Sequence, residues 1–130
     1  VDSEAKVQAY VREMPDVAWD LMEVADSPLT IIYDGARNLA PNLLAEDGSV
    51  GIRVTHEAFS NYLCLRFKRP IVSTSANLSG QPSPRCFADI APEIVAAVDY
   101  VCTSRRQETV CPSPSHIIKL GVGGEVKVIR

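Results

Sequence analysis

Short apolar runs of strand length alternate along this chain with patterns of helical period, and that alternation limits the fold more than any other feature. The runs Leu29–Tyr33, Val50–Val54, Pro70–Ser73, Tyr100–Thr103, His116–Leu120 and Glu125–Arg130 are predicted strands. Val7, Tyr10, Val11 and Met14 follow i, i+3, i+4, i+7 spacing and predict a helix from Ser3, its cap, to about Met14. Pro15 ends that helix, and Val17, Leu21 and Val24 predict a second short one to about Ala25. Thr55 is the expected cap of a third helix reaching about Phe67, with Phe59, Tyr62, Leu63 and Phe67 turned inward. Phe87, Ile90, Ile94, Val95 and Val98 trace helix across Pro92 in two segments. Gly121-Val122-Gly123-Gly124, between the last two runs, is a hairpin signal. Alternating strands and helices define the α/β class, and the hairpin makes the sheet mixed.

Composition narrows the function classes. A chain of 130 residues, 46% hydrophobic and 22% charged, holds enough apolar matter for one ordered domain. No stretch of about 18 uncharged apolar residues exists, so neither a membrane span nor a membrane partner is expected. Thirteen Lys and Arg against sixteen Asp and Glu leave a net charge of −3, which argues against a generic nucleic-acid binder. The cysteines Cys64, Cys86, Cys102 and Cys111 lie far apart with no Cys-x-x-Cys pair, so no metal site is expected. They read as buried or free thiols of a reducing compartment, and the expected location is cytoplasmic. The chain opens at Val1 directly into a helix-like pattern, and is read as a domain over 1–130 truncated at its N-terminus.

The strongest local signal is Ser73-Thr74-Ser75-Ala76-Asn77-Leu78-Ser79-Gly80, a hydroxyl-and-amide run directly after a predicted strand. Strand ends are where open α/β sheets bind ligands, and such small donors wrap a phosphate or carboxylate without bulk. A Ser/Asn-rich turn explains the same spacing equally well. Asp34 to Gly48 is a long loop, of the length that is usually functional or mobile. Arg53, a charge in an apolar run, must reach solvent, an anion or a structural carboxylate. Arg130, by position alone, is a solvated chain-end residue. His56 and His116 stand at element starts and read as structural, while Arg66, Lys68 and Arg69 cluster where a helix dipole favours cations. There is no Walker or G-x-G-x-x-G motif and no spacing that argues for a nucleophilic triad.

Gly48-Ser49-Val50-Gly51-Ile52-Arg53-Val54, followed by the segment from Pro70 to Pro84, closely resembles the YrdC/TsaC family of threonylcarbamoyl-adenylate synthases. Val98-Asp99-Tyr100-Val101, Pro114-Ser115-His116-Ile117-Ile118 and Val126-Lys127-Val128-Ile129-Arg130 extend the resemblance, in register from about Val17 to Arg130. It implies a twisted mixed α/β sheet around a concave electropositive cavity. It also implies condensation of L-threonine, bicarbonate and ATP, with Mg2+ accompanying the ATP, to threonylcarbamoyl-AMP and pyrophosphate. Partner transferase proteins then pass the threonylcarbamoyl group to tRNA, and some members were first described as binders of double-stranded RNA.

Residue by residue, the resemblance implies threonine contacts at Arg53, Ser75 and Ser115, and nucleotide contacts at Ser49, Asn77, Arg85 and Arg130. No catalytic acid or base is implied. A carboxylate suits a bidentate guanidinium, and in-line attack on a phosphate needs positioning and charge neutralisation more than proton transfer.

Several positions depart from the family pattern. Its N-terminal part, with a Lys-x-Arg phosphate motif, has no counterpart here, and Arg85 stands where a smaller residue is usual. Asp26-Ser27-Pro28 replaces Pro-Gly-Pro, Thr55 replaces a proline, and His116 replaces the threonine of Pro-Ser-Thr. These changes favour the alternative reading, a non-catalytic paralogue that binds a nucleotide or double-stranded RNA. A carbamoyltransferase of hydrogenase maturation is a third reading, but such proteins are much longer and carry zinc fingers.

Overall fold

A four-stranded mixed sheet organises most of the chain, in the order β2-β1-β3-β4. The strands are β1 (Leu29–Tyr33), β2 (Val50–Arg53), β3 (His116–Leu120) and β4 (Val126–Val128). β1 pairs antiparallel with β2 and parallel with β3, and β3 pairs antiparallel with β4. The mixed α/β fold is therefore as expected, and four of the six predicted strands are present. This computed structural model describes residues 1–110 and 113–130, so Cys111 lies outside the described residues. The chain divides into two units, Val1–Ile71 with Pro114–Arg130, and Val72–Ser113.

In the first unit, the period of two along the strands assigns the faces. Ile31, Tyr33 and Leu120 are buried with Val7, Val11 and Ala18, and Leu29, Ile52, Val54 and Ile118 pack around them. Helices α1 (Glu4–Val7) and α2 (Asp16–Val24) cover this face, α2 also contributing Val17, Leu21 and Met22. The alternate residues Thr30, Ile32, Gly51, Arg53, Ile117 and Lys119 consequently share the other face. The β3–β4 turn closes with Gly121 N–H on the Glu125 carbonyl at 2.9 Å, and Gly124 supplies the left-handed residue at φ 88°.

The first predicted helix is much shorter than its apolar spacing suggests. After Val7 the backbone leaves the helix: Arg12 N–H bonds to Gly35 at 2.9 Å and Arg37 N–H to Tyr10 at 2.9 Å. Val11 bridges to Ala36. Tertiary pairing with the long loop has replaced helical bonds, while Val7 and Val11 still reach the core as their spacing required.

The third helix, α3 (Ala58–Phe67), starts later than predicted because Glu57, not Thr55, caps it. The Glu57 carboxylate accepts from Phe59 N–H at 3.1 Å and Ser60 N–H at 2.8 Å. Lys68, left-handed at φ 58°, ends it. The inward set is also corrected: Phe59, Tyr62, Leu63 and Phe67 are 36–60% exposed, and only Cys64 is buried. Apolar side chains are spread around this helix, so no single stripe directs it. The side facing the rest of its unit is tied by Asn61, which donates to the carbonyls of Asp2 and Thr55 at 2.9 and 2.8 Å.

The second unit has a 3-10 turn at Phe87–Asp89 and a helix α4 (Pro92–Ala97), the two segments expected around Pro92. Two predicted strands are not formed. At Tyr100–Thr103 the carbonyls of Val101 and Cys102 are taken by the Arg106 guanidinium, which also lies 5.0 Å from the Phe87 ring. Pro70–Ser73 pairs with no strand, and Pro70 has no N–H to offer a ladder. Cys64, Cys86 and Cys102 are free thiols. Among the described residues, no helix is long and apolar enough to cross a membrane.

Candidate functional site

The non-core face of the sheet carries two groups of polar side chains, one at each end of β2. At the first end, β-pairing sets Arg53 opposite Thr30. The Thr30 hydroxyl lies 3.2 Å from that of Ser115, which immediately precedes β3. Arg130 reaches the same segment, donating through Nε and Nη2 to the Ser115 carbonyl at 3.1 and 3.0 Å. Residues from four separate stretches thus stand together here: Arg53 across from Thr30, with Thr30 and Arg130 each bonded to Ser115. Among the described residues, the exposed Arg53 guanidinium has neither a carboxylate nor a hydrogen-bond partner, which removes the structural-carboxylate reading. Arg130 is not simply solvated, because it holds the Ser115 backbone.

The second end lies roughly 13 Å along β2, at about 3.3 Å per residue. Ser49 is buried there, at 5% exposure. Its hydroxyl and its N–H donate to Asp47 Oδ1 at 2.6 and 3.0 Å. Lys119 Nζ donates to Asp47 Oδ2 at 2.7 Å and stands 3.7 Å from Asp34. These bonds, the one from Lys119 foremost, hold the Asp47 carboxyl well below the usual carboxylate range. The same contact with Asp47 raises Lys119.

The second unit holds the hydroxyl-and-amide run. Asn77 Nδ2 donates to the carbonyls of Leu78 and Gln81, each at 3.0 Å, and its Oδ1 accepts from Ser83 at 3.4 Å. Asn77 therefore knits the turn, and the left-handed Gly80 (φ 79°) follows. Ser75 and Arg85 are exposed, and Arg85 N–H bonds to Asp89 at 3.1 Å.

Thr30 and Lys119 are functional candidates that sequence reasoning missed. Each is a polar side chain in an apolar strand, the same signal that singled out Arg53. His56, exposed, lies 3.7 Å from Glu4, and His116 only begins β3. Of the basic residues, Arg105 pairs with Glu108 at 2.7 Å and Arg66 lies 6.0 Å from the Tyr62 ring. Among the described residues, no three His, Cys, Asp or Glu side chains converge as a metal site would require.

An open mixed sheet with helices on one face and a hydroxyl-and-guanidinium corner on the other defines an α/β protein. The chain belongs to the Sua5/YciO/YrdC family, described as telomere recombination, which matches residues 1–130. It is 30% identical over 113 residues to the human threonylcarbamoyl-AMP synthase, covering 85% of this chain and 40% of that protein. To the Blochmanniella pennsylvanica protein of that name it is 40% identical over 63 residues, 48% of this chain and 32% of that one. To the one from Vibrio cholerae it is 36% identical over 84 residues, 62% of this chain and 45% of that one. The chain thus spans less than half the length of these relatives. No solved structure matches it.

Proposed function

We propose that the protein containing this chain is a threonylcarbamoyl-AMP synthase, a nucleotidyl-transferring enzyme of tRNA modification. It would condense L-threonine, bicarbonate and ATP and release pyrophosphate. The observation that carries the reading is the corner of Arg53, Thr30 and Ser115: a guanidinium with no partner among the described residues, across the strand pair from one of two bonded hydroxyls, on the sheet face opposite the core. That set suits an amino acid with a hydroxylated side chain. The guanidinium takes the carboxylate in a bidentate pair, and the hydroxyls hydrogen-bond the substrate's polar groups. Arg130, by fixing the Ser115 backbone, positions one of those hydroxyls.

The nucleotide contacts in this reading come from Ser49, Asn77, Arg85 and Arg130, with Ser75 on threonine. Mg2+ would come with ATP as part of the substrate and would supply charge neutralisation at its phosphates. The chain's residues orient the carbamate for in-line attack and supply no acid–base pair.

The test is pyrophosphate release by the intact protein. It should require threonine and bicarbonate together. Arg53→Ala should lower turnover more than tenfold, since a charge-assisted contact is worth about 1.5–3 kcal/mol, and Asn77→Ala should lower it by loosening the turn that carries the hydroxyl-and-amide run. Release that ignores threonine would overturn the reading. Nucleotide binding without any turnover would replace it with the non-catalytic alternative.

A further inference from the structure

The Asp47 carboxylate is held by donors from two separate stretches of the chain. Three donors of different kinds converge on its carboxylate: the Ser49 N–H at 3.0 Å, the Ser49 hydroxyl at 2.6 Å and the Lys119 ammonium at 2.7 Å. A backbone N–H, a hydroxyl and a lysine are also the donor types with which proteins cradle phosphate. A local turn, with a side chain bonding two residues ahead, accounts for the Ser49 contacts alone. It does not account for Lys119, which comes from a strand 72 residues away.

We propose that Asp47 is a displaceable plug in an anion subsite, that a nucleotide phosphate takes its place, and that Lys119 then binds the phosphate. The inference rests on the nucleotide reading of Ser49 given above. Three further observations support it. Asp47 is 54% exposed and precedes the left-handed Gly48, so its side chain leaves by local rotation into solvent. Asp34, 3.7 Å from Lys119, keeps the ammonium near the subsite when Asp47 departs. Strand register sets Lys127 directly across from Lys119, on the same face, adding positive potential once the plug is out. An exposed ion pair is a weak competitor, so a multiply charged phosphate displaces it.

The test is calorimetric titration of Mg·ATP into the intact protein and its Asp47→Asn, Lys119→Met and doubly substituted variants. Removing the competing charge should tighten binding about fivefold, the scale of one exposed pair. Lys119→Met should weaken binding about tenfold, and in the double variant the gain from Asp47→Asn should vanish. Urea unfolding accompanies each titration. Tighter binding by a less stable Asp47→Asn protein is an outcome that a merely structural role for Asp47 does not produce. If the wild type binds Mg·ATP while Asp47→Asn binds it equally or more weakly, the plug is refuted and the nucleotide reading stands. Unchanged affinity in Lys119→Met refutes the role of that lysine. Absence of Mg·ATP binding in every protein overturns both readings.

Discussion

The hydroxyls of Thr30 and Ser115 lie 3.2 Å apart although 85 residues separate them in the chain. The parallel pairing of β1 with β3, which sets Leu29 beside His116, brings them together. Thr30→Val keeps the branched shape that suits a strand and deletes only the hydroxyl. Stability should fall by no more than about 1 kcal/mol, the usual net worth of one hydrogen bond. If the corner binds threonine, steady-state kinetics should show KM for threonine rising several-fold with kcat nearly unchanged, the mark of lost ground-state binding. An unchanged KM would make the hydroxyl pair purely structural.

Asp47 gives the fold a pH dependence with a defined sign. Its carboxyl is held below the usual range, first by Lys119 and then by Ser49, so the folded chain binds this proton less readily than the unfolded chain. The resulting stabilisation is complete above an unfolded value of about 4 and is lost as pH falls through the lower folded value. Lys119 is raised, chiefly by the same contact, so its share is present below about pH 10 and is lost on titrating upward through the folded value. Urea unfolding of the wild type and Asp47→Asn should differ by a constant amount near neutrality. The two curves should converge in acid. A gap that persists at the lowest pH would mean the carboxylate is not the group responsible.

The strands with intact ladders were legible because their signal is local. Leu29–Tyr33 and His116–Leu120 are bounded apolar runs, and the glycine turn after Leu120 has a sequence signature. Burial at Val7 and Val11 was legible too, yet the helix was not, because loop carbonyls and amides captured that backbone. Tyr100–Thr103 failed for a similar reason: a guanidinium took the carbonyls that a neighbouring strand would need. In the candidate site, Arg53 stood out as a charge among apolar residues. Thr30 did not, because its partner Ser115 is close only once β1 and β3 pair. The plug was hidden likewise, since nothing local ties Asp47 to Lys119.

Tyr33 and Leu120 separate two kinds of burial. Both are almost fully inaccessible, but among the described residues the Tyr33 hydroxyl finds only the Met22 sulfur, at 3.9 Å. Burial accordingly pushes the phenol up from its ordinary value. A thioether is a weak acceptor, so Tyr33→Phe removes a poorly compensated polar group and should change stability by less than about 1 kcal/mol in either direction. Leu120→Ala instead opens a cavity between the sheet and its helical layer, and should cost about 2–5 kcal/mol. Chemical denaturation of both variants decides the point. A large loss in Tyr33→Phe would show that the sulfur contact matters more than its geometry implies.

Gly48 and Gly51 lie three residues apart and should respond to alanine for opposite reasons. Gly48 is left-handed at φ 76°, with open space around a built Cβ, so any cost is conformational. Gly48→Ala should lose about 1–2 kcal/mol, the penalty for a side chain in that region, although nothing touches it. Gly51 is an ordinary strand residue, but its Cβ would come 3.3 Å from Thr30 Cγ2. Thr30 must then give by a few tenths of an ångström, and it is the residue that pairs with Ser115. Gly51→Ala should therefore disturb threonine binding more than stability, whereas Gly48→Ala should do the reverse at that end of the sheet. Paired denaturation and KM measurements on the two variants test this directly, and identical profiles would show that the two glycines do not serve separate ends of β2.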